Sequence, residues 1–163
     1  MLIDVPGDVP LTSLQGGDTR PIEEWTTTFH LALVVLDPYT HESAWLLESA
    51  GRMLRHFGEA DCRTAFLVTA EPDDTRQFLG PWAKEMMVFV DPDRTAVRAF
   101  ELERIPAFVH VDQHNDVLAK AEGWEPAEWR AVAAELARIM SWRRPTIPAQ
   151  GDPAPFEGSP ALG

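Results

Sequence analysis

The chain has 163 residues, 45% of them apolar, and a formal net charge of −12. That length suffices for one domain with its own core, and the acidic balance excludes nucleic acid and anionic membrane as main partners, because both need basic surface. The single cysteine, Cys62, excludes an intrachain disulfide and an all-cysteine metal site. The opening residues have no basic start and no apolar run of signal length, and the longest apolar run, residues 31–36, is too short to cross a bilayer. A cytoplasmic protein is the expectation, in a compartment that keeps thiols reduced.

Residues 1–27 are rich in Pro, Gly, Asp and Thr and predict an N-terminal arm with a hairpin turn at Gln15-Gly16-Gly17-Asp18. A helical turn at residues 21–25 leads into residues 30–36, whose nearly unbroken apolar character predicts a strand covered on both faces. Residues 41–57 then change to helical spacing. Trp45, Leu46, Ser49, Met53, Leu54 and Phe57 fall on one side and Glu42, Glu48, Arg52 and Arg55 on the other, with Gly58 as the stop. A second strand at 62–69 is followed by a short helix that Asp73 or Asp74 can cap. A third strand occupies 87–90, and a brief helix 95–100. Residues 107–111 and 117–122 predict a hairpin, and Pro126 opens a last helix marked by Trp129, Val132, Ala133, Leu136, Ile139 and Met140. The tail, residues 143–163, is Pro- and Gly-rich and is expected to be extended, lying on the domain through Ile147, Phe156 and Leu162.

An apolar strand directly after Ile105-Pro106 predicts a cis bond there, since a trans proline fits poorly within a sheet. With that bond, three blocks carry a resemblance. They are residues 31–36 before a helix, FVDPDRTAVRAFELERIPAFVHVD at 89–112, and VLAKAEGWEPAEW at 117–129. In this order of strand, Asp-Pro turn, short helix, Ile-Pro, strand, closing strand, glycine and helix, the chain resembles the thioredoxin/redoxin superfamily over residues 28–142. The resemblance implies a thioredoxin-like three-layer α/β/α sandwich with a mixed central sheet and a cis-proline before a central strand.

In that superfamily the first strand-to-helix junction carries Cys-x-x-Cys, where the helix N-terminus lowers a thiol's pKa and the second thiol resolves the mixed disulfide. Here the junction reads Asp37-Pro38-Tyr39-Thr40-His41-Glu42-Ser43-Ala44. Either Thr40 and Ser43 or His41 and Ala44 take the cysteine positions, and neither pair can form a disulfide. Cys62 should lie near the opposite end of the sheet, as a small apolar residue. The hydroxyl, imidazole and carboxylate at 40–43 do not make a triad, which needs groups from separate elements; helix capping by Asp37 or Thr40 accounts for them. No histidine pair shows metal-ligand spacing, and His110 is expected to be a satisfied, partly buried imidazole. Asp91, Asp93 and Asp112 are expected in turns and caps.

The resemblance further implies that the residue before the cis-proline offers its backbone to an extended peptide. Tyr39, Thr40, His41 and Ser43 with Ile105 and Pro106 would then line a binding groove. The expectation is therefore a redox-inactive domain that binds a protein or peptide partner, with no catalytic residue, cofactor or metal. One alternative is a redoxin-type disulfide reductase or peroxidase using Cys62 or a partner's thiol. The other is a subunit of a larger assembly, suggested by six tryptophans and the Pro-rich tail.

Overall fold

The computed structural model describes residues 2–163, so Met1 of the expected arm lies outside the described residues. The chain is organised on strand β4 (His30–Leu36). Leu31, Leu33 and Val35 pack to one side of the sheet and Ala32, Val34 and Leu36 to the other, which is why the run is apolar without alternation. Strands β5 (Cys62–Val68) and β6 (Met87–Val90) follow in parallel on one side of β4. On its other side, β8 (Ala107–Val111) and β9 (Asp116–Glu122) add an antiparallel hairpin. The sheet is mixed.

Helices cover both faces. On one side lie α2 (His41–His56), α3 (Pro72–Leu79), α4 (Trp82–Glu85) and α6 (Pro126–Met140), burying Leu46, Met53, Leu79, Trp82, Trp129 and Leu136. On the other lie α1 (Ile22–Thr26) and α5 (Thr95–Ala99), burying Ile22, Ala96 and Val97. This is the thioredoxin-like α/β/α sandwich.

The N-terminal residues join the same sheet rather than standing off it. Strand β1 (Ile3–Asp4) pairs with β9, while β2 (Pro10–Ser13) pairs with β6 and with β3 (Thr19–Pro21). The turn between β2 and β3 is closed by Ser13 N–H donating to the Asp18 carbonyl at 2.9 Å. Two short strands, β7 (Arg104–Ile105) just before β8 and β10 (Ser159–Pro160) in the tail, pair antiparallel with each other outside the main sheet.

Several local expectations change. Phe57, not Gly58, closes α2, and Gly58 N–H instead donates to the Arg55 carbonyl. Helix α3 begins at Pro72 after Glu71, so Asp73 and Asp74 sit in its first turn and do not cap it. Proline at the first turn explains this, because it needs no N–H partner there. Trp45 leaves the core: it is 59% exposed. Asp91 and Asp112 do hold turns: Asp91 accepts from the amides of Ala96 and Val97, and Asp112 from those of His114 and Asp116.

A glycine inside α2 costs helix stability relative to alanine by roughly 0.5–1 kcal/mol. Gly51 is there because the Trp82 indole lies against its Cα, where a Cβ would collide with the ring. The indole N–H is satisfied by Glu48 at 3.1 Å. Substitution Gly51→Val should therefore destabilise the protein by about 1–3 kcal/mol through overpacking. Urea unfolding measures this; an unchanged midpoint would contradict the packing.

Candidate functional site

The C-terminal end of β4 delivers the chain to the junction at Asp37. Asp37 is 3% exposed, and its carboxylate accepts from Tyr39 N–H at 3.0 Å and from Arg94 at 2.8 Å. A buried carboxylate requires such a partner, and removing one side of the pair leaves a charge stranded. Arg94 precedes α5 in a left-handed conformation, φ 59°. Its other guanidinium nitrogen donates to the Ala161 carbonyl at 2.5 Å. One arginine thus joins the junction to the end of the tail.

The six candidate residues do not act alike. Ser43 is fully buried, and its hydroxyl accepts from Asp37 N–H at 2.9 Å, so it braces the turn from below. Thr40 is the residue before α2, yet its hydroxyl donates to the Asp37 carbonyl at 2.8 Å instead of accepting from the helix amides. The expected capping by Asp37 or Thr40 is replaced by this tight turn. Tyr39 and His41 are exposed. The Tyr39 hydroxyl donates to Asp74 at 2.5 Å, a bond that raises the phenol's pKa, and the His41 ring stacks on Trp45. Ile105 and Pro106 are buried at the N-terminal end of β8, joined by a cis bond. Because Val35 pairs with Ala107, the register sets Pro106 beside Leu36 and brings Ile105 to the junction. The two halves of the proposed groove therefore do meet.

The groove is occupied by the chain itself. Ser159 pairs antiparallel with Ile105 and Pro160 with Arg104, and Ala161 N–H donates to the Glu103 carbonyl at 2.9 Å. Ser159 Oγ donates to Glu42 at 2.9 Å. Ahead of this strip, Phe156 and Trp124 exchange backbone hydrogen bonds of 2.8 and 3.0 Å. Gly158, at φ 91°, passes so close that a Cβ would come within 2.8 Å of the Ile105 carbonyl oxygen.

The tail reaches this point along a stripe of α2 spaced three and four residues apart. From its C-terminal end, His56 contacts the Arg143 carbonyl, Arg52 the Thr146 carbonyl and Asp152, and Ser49 Asp152. Trp45 meets Phe156 edge-on at 5.7 Å, and Glu42 holds Ser159. Trp45 and Ser49 belong to this seam, not to the core face the spacing suggested. Of the expected tail anchors, Ile147 is buried and Phe156 half-buried, but Leu162 is exposed; Ala161 is the buried one. Sequence reasoning missed Arg94, Ala161 and Gly158. The 42/45/49/52/56 spacing was the one signal that could have pointed to the seam.

The remaining candidates lie elsewhere. Cys62 opens β5 opposite His30, at the far end of the strands from the junction. Burial pushes its thiol up to about 11. A cleft of about 1010 Å³ lined by Arg52, Arg55, His56, Trp142 and Arg143 sits at the C-terminal end of α2, also away from the groove. His110 is wholly buried, not partly, and only half satisfied: Nε2 meets His30 Nδ1 at 2.8 Å while Nδ1 has no partner. An unpaired acceptor is tolerated better than an orphaned N–H, which favours His110 Nε2 as the donor.

No family model matches the chain, and no curated protein matches it. Solved structures do. A protein of Chlorobium tepidum described as the thiol:disulfide interchange protein DsbE superposes with a TM-score of 0.69 at 16% identity, over 86% of this chain and 98% of that one. Peroxiredoxin Q of Xanthomonas campestris gives 0.65 at 14% identity, over 85% and 96%. The thioredoxin domain of a Bacteroides vulgatus thiol-disulfide oxidoreductase gives 0.64 at 8% identity, over 83% and 97%. The structures that resemble this chain are thus thioredoxin-like and redoxin proteins, thiol-disulfide oxidoreductases and peroxiredoxins among them. At these identities the likeness establishes the fold.

Buried His110, paired with half-buried His30, makes stability depend on pH. Burial, and then the neighbouring His30, push His110 from 6.5 down to about 4. The unfolded chain takes up this proton near its ordinary pKa while the folded protein resists it. The contribution is complete above about pH 6.5 and is lost as pH falls toward about 4, on the order of 3 kcal/mol in all. Urea unfolding across that window should show the decline, and His110→Phe should flatten it. Parallel curves for the two proteins would contradict the assignment.

Proposed function

We propose that this protein is a binding module on a thioredoxin-like scaffold, which holds an extended polypeptide segment against the Arg104–Ile105 edge beside the Asp37–Ser43 turn. The observation that carries this reading is the Ile105–Ser159 pairing, in which that edge already accepts an extended strand. Backbone pairing supplies affinity in such β-augmentation, while side chains on alternate positions select the sequence. Tyr39 and His41 are the exposed side chains beside that edge and would make those contacts, Tyr39 with its hydroxyl held by Asp74 and His41 with its ring stacked on Trp45. Thr40 and Ser43 shape the turn, and Ile105 provides the backbone.

Support for a role without thiol chemistry comes from the same turn. Dithiol exchange needs a thiolate at an accessible helix N-terminus and a second thiol to resolve it. This turn offers hydroxyls and an imidazole, and the one thiol lies at the other end of β5 with a raised pKa. The second reading, a redox enzyme working through Cys62 or a partner's thiol, is favoured by the proteins whose structures this chain resembles. Under it Cys62 would have to become a thiolate in a half-buried site.

Two assays separate the readings. Reduction of insulin disulfides and of hydrogen peroxide should stay at background for the wild type and for Cys62→Ser alike. Alkylation of Cys62 near pH 8 should run roughly 100-fold slower in the folded protein than in the unfolded chain, following the thiolate fraction. A clear wild-type turnover that Cys62→Ser abolishes would put the redox reading first.

A further inference from the structure

We propose that residues Phe156 to Ala161 are a built-in, displaceable occupant of the Ile105 edge, and that the partner is a protein segment that repeats their pattern. That pattern is an aromatic residue, a glycine two positions on, and a small apolar residue three further. The proposal rests on the binding reading above and specifies its ligand and its regulation.

The tail consists of two parts with different hold on the domain. Residues 142–152 form a strap: the Trp142 indole donates to the His56 carbonyl, Ile147 is 4% exposed, and Asp152 takes Arg52, Ser49 and the Ala149 amide together. Ala154 and Pro155 are then exposed. Beyond them the strip is thin. Strand β10 has only two paired residues, and Glu157, Pro160 and Leu162 face solvent. The strip's hold is the backbone pairing, the Phe156–Trp45 contact, the solvent-exposed Arg104–Glu157 ion pair, the Ser159–Glu42 bond, Ala161 in its closed site and the Arg94 clamp. Segments secured by so few buried contacts open locally without global unfolding. The strip can swing out about 154–155 while the strap stays in place.

Each contact is also a specification for whatever replaces the strip. At Gly158 the backbone runs against the Ile105 carbonyl and the Gly123 Cα in a left-handed conformation, so a side chain there is excluded twice over. At Ala161 the side chain is 1% exposed among apolar neighbours, which admits little more than a methyl group. At Phe156 the exposed face of Trp45 offers a ring to an aromatic residue. An arbitrary extended peptide meets only the first requirement of an edge, backbone pairing, and fails the rest.

Tethering makes the strip a strong competitor. A short linker holds it at an effective concentration of roughly millimolar, so a free segment of equal intrinsic affinity must reach about that level to displace half of it. Releasing the strip lowers this barrier, because apparent affinity scales with the open fraction.

The test uses the full chain, isotope-labelled, as wild type and as two release variants that act through different atoms, Gly158→Val and Ala161→Asp. Both should exchange the backbone amide at position 161 at least about 10-fold faster than wild type while the central strands stay protected. A synthetic peptide of residues 154–163 should then shift Glu103, Ile105 and Arg94 signals with at least about 10-fold tighter binding than to wild type. The same peptide carrying Gly158→Val should not bind. Unchanged protection of the amide at position 161 in both variants, or equal peptide affinity for open and closed proteins, would overturn the displaceable strip. If an unrelated glycine-free extended peptide binds the open edge equally well, the ligand pattern is wrong but the binding reading stands. If the strip opens and no peptide reaches Ile105, both fall. Doubled mass in solution with strips exchanged between copies would also overturn the proposal.

Discussion

A sheet-like edge with unpaired backbone groups has to be satisfied by something. Residues 103–105 form such an edge, where Ile105 is wholly buried and joined to Pro106 by a cis bond. Two of its amides turn inward, with Glu103 and Arg104 N–H both donating to the Glu122 carboxylate. The remaining groups face the tail: the Glu103 carbonyl accepts from Ala161, and Ile105 pairs with Ser159. The route of the last twenty residues follows from that need. Gly123 must be a glycine, at φ 69°, because the Glu157 carbonyl presses on its Cα, and Gly158 must be one because it passes over Ile105.

The Asp37–Arg94–Ala161 link ties this edge to the junction. Asp37 ends the central strand, so its burial is imposed by the sheet; Arg94 neutralises it and in the same stroke fixes the tail's last buried residue. Anything that draws Arg94 away leaves a buried carboxylate without its counter-charge, a change of several kcal/mol in comparable pairs. The junction, the α5 approach and the strip therefore respond as a group. Where a thiol fold would place reacting sulfur atoms, this chain has a braced turn, with Ser43 and Thr40 committed to the Asp37 backbone and only Tyr39 and His41 projecting.

Most of the scaffold was legible in the sequence because burial on two faces writes itself as an apolar run. Residues 31–36 and 107–111 announced their strands, and the Trp129, Val132, Leu136 spacing announced α6. The turn at residues 37–43 and the Ile105-Pro106 step were singled out from the sequence, and the register of β4 against β8 sets them side by side. The strip was not legible for a physical reason. It is held by backbone pairing with alternate residues in solvent, and a two-residue strand leaves no period to read. Trp45 and Ser49 misled for the opposite reason: they share a helical period with the core residues but face a second surface, one the tail creates. His110 was misjudged because strand alternation fixes a face, and the partner it finds there, His30, comes from a different strand.

The protein's own tail lies against the Arg104–Ile105 edge beside the junction. The most direct measurement is the cross-strand nuclear Overhauser pattern of the unmodified full chain in solution. Strong contacts between the backbone protons of Ser159 and Ile105, and between the Ala161 amide and Glu103, are predicted, with residues 156–161 dispersed like the folded sheet. Sharp random-coil signals for residues 156–161, with no contact to residues 103–105, would contradict the account.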